Sequence, residues 1–357
     1  MSPTLERGYV SCTMDGGCQM RTPGCTPERE KAGQRIEPGY AHKMDLIGFG
    51  ALNVDLIYKV PDDAFNEIEA GSEMSGTSTE GKRALELVRN FGQFRAQSGG
   101  GSAANTAFAL SRMGFRTGFI GKTGTDSDGQ FLLDSLGEVD RGGIRRGGRT
   151  GISIILLGDG GERTCILFPN CNDTFSYDEV DPDYAANTRI IHITSFLGST
   201  PFNAQMRLIQ NLPDDVRLTF DPGMPYVNRG LEQILTFLSR SWVVFLTKAE
   251  VELLTGQRYE EGCRSILDFG PELVICKLGS MGSHIFSRDE EFEIPAQEAD
   301  VVDTTGAGDV FAAGFLAGLL LGWPLRDCTS LASRAAAVSV TGYGRQRYPE
   351  ALYELTP

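Results

Sequence analysis

Beyond residue 188 the chain settles into a repeating rhythm that leaves few folds open. Continuous apolar runs at 188–194, 216–220 and 242–246 alternate with stretches at 201–211 and 231–238 whose apolar residues recur at helical spacing. Uninterrupted apolar strands separated by amphipathic helices predict a mostly parallel sheet with helices on both faces. Ligands of such sheets lie beyond the C-terminal ends of the strands. Asp55, Asp221, Glu250 and Asp309 all fall at or just past such ends. With 357 residues, 41% of them hydrophobic, the chain has material for one large α/β domain with a small appendage.

The strongest local signal is Val302-Asp303-Thr304-Thr305-Gly306-Ala307-Gly308-Asp309-Val310. Val301 and Val302 read as the end of a buried strand. Residues 304–308 form a turn with almost no side-chain bulk, and the apolar run 310–321 is long enough for about three turns of helix. Backbone N–H groups in such a turn can approach a ligand closely. A helix N-terminus preceded by glycine is an anion site, and Asp309 stands where the anion would lie. Asp is also a favoured helix cap. A carboxylate beside an anion hole instead suits removal of a hydroxyl proton while a phosphoryl group is held. A second glycine stretch, Ser98-Gly99-Gly100-Gly101-Ser102-Ala103-Ala104-Asn105, opens a helix that Gly114 closes. Asn105 there offers both a donor and an acceptor.

Together the two blocks resemble the two signatures of the ribokinase-like (PfkB) family of sugar and nucleoside kinases. Asp303, Thr305, Gly306, Ala307, Gly308, Asp309, Ala313 and Gly314 stand where the second signature wants them. The resemblance spans roughly residues 45 to 347. It implies a three-layer α/β fold, a doubly wound and mostly parallel sheet, with a small β-sheet lid from about 56–60 and 150–170. It also implies ATP and Mg2+. Asp309 is expected to be the base, with main-chain donors from Gly306, Ala307 and Gly308. Substrate contacts are expected from Asn53, Asp55, Gly99, Gly100, Asn105 and Asn172. The nucleotide is expected near Thr247, Lys277, Gly279, Gly282, Gly308 and Ser333, with Ser333 at the start of the last helix. Glu250 is expected to act on magnesium through water. Asp303, Thr305, Ser339, Gly342 and Gly344 match parts of a potassium loop, in which Tyr348 replaces a small residue. Thr247 stands where the family usually has Asn. A homodimer through the lid is expected, because exposed edge strands need covering.

Residues 1–43 are rich in Gly, Pro, Thr, Arg and Glu, lack an apolar period, and read as a disordered extension before a kinase domain at 44–350. They hold no signal-peptide core. Met44 directly precedes strand-like sequence and reads as the native start, a point that N-terminal sequencing of the native protein decides. Cys12, Cys18 and Cys25 cluster without a CxxC unit, so a metal site there has little support. The other five cysteines lie scattered, mostly in apolar sequence, as in a reduced cytosolic protein. Residues 45–57 read as the first central strand, with Asn53 and Asp55 at its C-terminal end. Gly48-Phe49-Gly50 lacks the third glycine of a dinucleotide fingerprint. Residues 61–97 form a long charged insertion with helical spacing at Leu85, Val88, Phe91 and Phe94. The basic stretch 141–149 reads as a solvated connection. Runs at 151–157 and 163–168, joined by a glycine-rich turn, read as a hairpin.

The net charge of −14 disfavours nucleic acid and anionic membranes as partners. No apolar run is long enough to span a bilayer. The resemblance implies phosphoryl transfer from ATP to a hydroxymethyl group of a sugar or nucleoside, expected in the cytoplasm. Positioning and electrostatics can supply most of the rate of such a reaction. The alternative is a catalytically impaired sugar- or nucleotide-binding sensor of the same fold, for which Thr247 is the support. The long insertion and the Gly161-Glu162-Arg163-Thr164 hairpin lean towards nucleosides.

Overall fold

The computed structural model describes residues 44–63, 73–158 and 163–355. The expected extension, its three cysteines and most of the hairpin turn lie outside the described residues.

The apolar runs become strands because they are buried from both sides. Along β1 (Met44–Phe49), Leu46 faces one core and Ile47 the other. Ile190 and Ile191 divide in the same way, as do Val243 with Val244 and Ile275 with Val274. One core packs beneath helices Ser102–Arg112, Ala307–Leu320 and Leu325–Ser339. The other packs beneath helices Ser199–Ile209, Leu231–Arg240, Lys248–Thr255 and Tyr259–Leu267. Two helical layers around one sheet require strands apolar at successive positions, as the sequence shows.

The remaining strands are β2 (Asn53–Lys59), β3 (Glu73–Ser75), β4 (Gln93–Gly100), β5 (Thr117–Thr123), β6 (Asp140–Arg146), β7 (Gly151–Leu157) and β8 (Arg163–Phe168). They continue with β9 (Thr188–Thr194), β10 (Arg217–Asp221), β11 (Ser241–Thr247), β12 (Leu273–Lys277), β13 (Ser283–Ser287) and β14 (Glu291–Ile294). Among the described residues the large sheet has nine strands, in the order β14-β13-β12-β11-β10-β9-β1-β5-β6. Neighbours from β12 to β6 are parallel, and β13 and β14 close one edge antiparallel. The order reverses about β1, with β5 on one side and β9 on the other, which opens a crevice at the strand C-termini. The fold is the doubly wound mixed α/β arrangement expected.

The lid is a second sheet, of five strands among the described residues, in the order β3-β8-β7-β2-β4. It corrects the reading of 45–57 as one strand. The chain leaves the large sheet after Phe49 and re-forms as β2 in the lid. Asn172 fixes this break. Its Oδ1 accepts from Leu52 N (3.0 Å), and its Nδ2 donates to Leu52 O (2.9 Å) and Asn53 Oδ1 (2.9 Å). The backbone groups of Leu52 are thus satisfied without a strand partner.

Three further expectations fail locally. The insertion helix is Thr79–Phe91, capped by Ser78, and Gly92 turns extended, so Phe94 lies on β4 rather than on the helix. Arg141 to Arg146 are not a loop but lie on the edge strand β6, where charge protects an open edge. Val301 and Val302 form no strand; they are 56% and 42% exposed, in the connection after β14. No helix among the described residues is long and apolar enough to cross a membrane.

Candidate active site

Asp309 sits in the first turn of Ala307–Leu320, three residues after the N-cap Gly306, so it does not occupy the capping position. Gly306 adopts φ 77°, a left-handed conformation that a side chain resists. Ala307 N donates to Thr304 O, and Val310 N donates to Gly306 O. Between them, the N–H groups of Gly308 and Asp309 have no helical carbonyl four residues back and point toward any anion at the helix end. The cradle is therefore narrower than four donors.

The two glycine blocks, 204 residues apart between Asn105 and Asp309, meet here. Asn105 Nδ2 donates to Asp309 Oδ2 at 2.8 Å, and Thr106 Oγ1 donates to Asp309 O at 3.1 Å. Asn105 is held from behind, where Arg345 Nε donates to its Oδ1 at 2.9 Å. Asp309 keeps an opening to solvent but is walled by protein. Burial pushes its carboxyl up to about 7, against the Asn105 hydrogen bond, with Asp221 adding to the rise and Lys277 and Arg163 opposing it.

The lid supplies a second acid. Asp55 on β2 stands opposite Ser98 on β4. Its carboxyl lies against Gly100, so closely that a Cβ on Gly100 would overlap it. Burial raises Asp55 to about 7; Arg345 and Arg163 pull it down, and Asp303 and Asp309 push it up. Asn53 is tied to Asn172, which is spent on the strand break. The space beside Gly99 is filled by the Ser135 hydroxyl and the Arg345 guanidinium.

Across from the lid, Asp221 ends β10 and Lys277 ends β12. Lys277 Nζ donates to Asp221 Oδ2 at 2.5 Å. It also lies 3.3 Å from the point a Cβ on Gly308 would take, which places the ammonium over the helix end. Burial works against this charge, but Asp221 and then Glu250 hold it protonated. Glu250 is buried; Thr247 N donates to its Oε2 (2.7 Å), and Glu250 N donates to Thr247 Oγ1 (3.3 Å). Thr247 thus makes a complete capping box, the same cap an Asn would offer. Burial, then Asp221, raises the Glu250 carboxyl. Gly279 and Gly282 form the left-handed turn between β12 and β13. Ser333 lies mid-helix in Leu325–Ser339 rather than at its start, with its Oγ donating to Pro295 O at 3.3 Å.

The expected potassium loop folds against the start of the helix. Thr305 N and Gly344 N donate to the two oxygens of Asp303, at 2.8 and 3.0 Å. Ser339 Oγ donates within its own helix to Ala336 O, and Gly342 packs on Arg347. Thr305 Oγ1 is buried with no hydrogen-bond partner, an orphan that a monovalent cation would satisfy. Among the described residues no cluster of three His, Cys, Asp or Glu could hold a metal by protein ligands alone. Asp221 and Glu250, both buried carboxylates, are the oxygen donors that would face a hard divalent ion here. The donors at Lys277, Gly308 and Asp309 fit a polyphosphate at the same helix end.

Two side chains of the site, Arg345 and Arg163, carry no role from the sequence, and a third, Tyr348, carries only a place in the potassium loop. Arg345 follows a glycine in a short loop, and no local pattern marks it. Arg163 lies on lid strand β8, where hairpin spacing gives the side chain no role, yet its charge acts on Asp309 and Asp303. Tyr348 is 2% exposed and brings its hydroxyl against Gly306.

The pfkB family carbohydrate kinase profile matches residues 78–351. An uncharacterized sugar kinase of Archaeoglobus fulgidus is 37% identical over 66% of this chain and 95% of its own length. An ATP-dependent ribose-1-phosphate kinase of Halopiger xanaduensis is 31% identical over 71% of this chain and 84% of its own. The solved adenosine kinase of Sinorhizobium meliloti shares the fold, with a TM-score of 0.79 at 23% identity, over 87% of this chain and 98% of that one. With an acid, an anion turn and a lid in place over the sheet, and with most of its length matched, this chain belongs to the pfkB family of carbohydrate kinases.

Proposed function

We propose that the protein transfers the γ-phosphoryl group of ATP to a hydroxymethyl group of a sugar or nucleoside. One observation carries the reading. A single carboxylate, Asp309, stands at a helix N-terminus between a lid acid, Asp55, and an ammonium, Lys277. An acceptor on the lid side reaches Asp309 with its hydroxyl, and Asp55 binds its neighbouring hydroxyls. Asp309 takes the hydroxyl proton as that oxygen bonds to phosphorus and the bond to the leaving ADP oxygen breaks. The N–H groups of Gly308 and Asp309, with Lys277, hold the negative charge of the phosphoryl group in transit. Magnesium, when bound near Glu250 and Asp221, supplies further neutralisation of phosphate charge. The named ATP-dependent relative supports the choice of donor. Five buried free cysteines support a reducing, cytoplasmic setting.

The test is acceptor-dependent ADP release across sugars, sugar phosphates and nucleosides. Release stimulated on the order of a hundredfold by one acceptor class supports the reading. ATP binding with no acceptor-dependent release from any class would favour the sensor instead. We propose further that a second copy covers the lid edge at β4, where Phe94 and the nearby Phe91 are each 54% exposed. Light scattering at micromolar concentration should then report a dimer, and a monomer would refute it.

A further inference from the structure

Arg345 brings a buried charge to the edge of the site. It is 8% exposed, and among the described residues no carboxylate lies within ion-pair distance of it. Its Nη2 is buried without any hydrogen-bond partner, and its Nη1 reaches only Ser135 O, at 3.4 Å. Its guanidinium lies 4.9 Å from the centre of the Phe108 ring. An apolar residue of similar length would fill this space at lower cost, because a buried charge without a paired carboxylate is unfavourable. The one side-chain acceptor it serves is Asn105 Oδ1, at 2.9 Å.

That bond holds the amide of Asn105 the same way round whether Asp309 is ionised or protonated. A guanidinium only donates, so the amide must turn its oxygen to Arg345 and its NH2 to Asp309. With Arg345 removed, an ionised Asp309 still draws the NH2, but a protonated Asp309 lets the amide turn its oxygen to accept from the acid, which favours the neutral form. We propose that Arg345 is a positioning residue, which aims the Asp309 carboxylate by fixing the Asn105 amide; this rests on Asp309 being the base of the proposed reaction. The relay leaves Oδ1 of Asp309 for the acceptor hydroxyl, since Oδ2 is taken. The charge of Arg345 also reaches Asp309 and Asp55 directly. The other charged or titratable groups around Asp309 are Lys277 on β12, Asp221 on β10, Arg163 on β8, Asp55 on β2 and Tyr348 in the C-terminal loop. None of these donates a hydrogen bond to Asp309, so none replaces the relay.

The experiment measures kcat against pH for the wild type, Arg345→Met, Arg345→Lys, Asn105→Ala and the Asn105→Ala/Arg345→Met double variant. Loss of Asn105 removes a donor to the ionised carboxylate, and loss of Arg345 lets the amide accept from the neutral acid, so in both the base form is reached only at higher pH. Arg345→Met should lower kcat at pH 7 about fivefold or more and move its acid limb up by about one pH unit. The KM for ATP should stay within about threefold, since Arg345 bonds Ser98, Asn105 and Ser135 and none of the residues proposed for the nucleotide. Arg345→Lys should recover part of the loss. Asn105→Ala should show the same displaced limb, and adding Arg345→Met to it should cost little more. An acid limb left at the wild-type position, or losses that multiply in the double variant, would overturn the proposal. If circular dichroism shows Arg345→Met unfolded, Asn105→Ala and Arg345→Lys carry the same comparison. Asp309→Asn separates the two layers. An inactive Asp309→Asn beside a wild-type profile for Arg345→Met overturns the relay alone, whereas an active Asp309→Asn overturns the base assignment itself.

Discussion

Asp309→Asn is expected to lower kcat by about a hundredfold or more while ATP binding is retained, the range for loss of a general base. Asn is nearly isosteric, and its side-chain oxygen can still accept from Asn105, so the fold and the anion turn should persist. The pH dependence gives a second signature. Burial holds the Asp309 carboxyl near 7 instead of its ordinary 3.8, and the reaction needs the ionised form. Wild-type kcat should therefore rise with pH through about 7, and that limb should vanish in the variant. Stability should move the opposite way. A carboxyl raised above its unfolded value favours the fold in its neutral form. Its contribution is present below 3.8 and is lost as pH climbs through about 7. Across that window the melting temperature of the wild type should fall relative to Asp309→Asn. A variant with near-normal turnover would remove Asp309 from the chemistry.

Gly306→Ala is expected to lower kcat about a hundredfold, because two independent costs converge on the anion turn. A left-handed φ of 77° disfavours any Cβ by about 1–2 kcal/mol. The added methyl would also overlap the Tyr348 hydroxyl. The turn must shift, and the N–H groups of Gly308 and Asp309 shift with it. Removing the hydroxyl relieves the second cost, since the next contact is Tyr348 Cζ at 3.3 Å. The Gly306→Ala/Tyr348→Phe double variant should thus recover roughly tenfold over Gly306→Ala, leaving the backbone term. Equal activity in the two variants would show that Tyr348 does not shape the turn.

These effects belong to residues that local pattern exposes unevenly. The sheet was legible because burial from both sides forces apolar residues at successive positions, as at Ile190-Ile191 and Val243-Val244. The pairing of Asn105 with Asp309 was foreseeable only in kind, since each glycine block announced a ligand-facing helix end. Phe94 kept the helical spacing of Phe91, but Gly92 between them takes extended angles and ends the helix. Val301 and Val302 have the β-branched character of a strand, but Val302 N meets a carbonyl at the end of a helix, Val340 O at 2.8 Å, rather than a strand, so propensity lost to topology. The break at Leu52 depends on Asn172, 120 residues away. Arg345 depends on Asn105 across 240 residues, and nothing in Gly344-Arg345-Gln346 signals it. Contacts of that span arise from packing, which no local window contains.

The most direct test of the account is the position of the phosphate on the product. Wild-type protein, ATP, Mg2+ and the acceptor that best stimulates ADP release should give a product whose phosphorus resonance couples to two methylene protons. That result would place the transfer on a hydroxymethyl group within reach of Asp309. A phosphorus coupled to a single methine or anomeric proton, or ADP accompanied only by free phosphate, would contradict it.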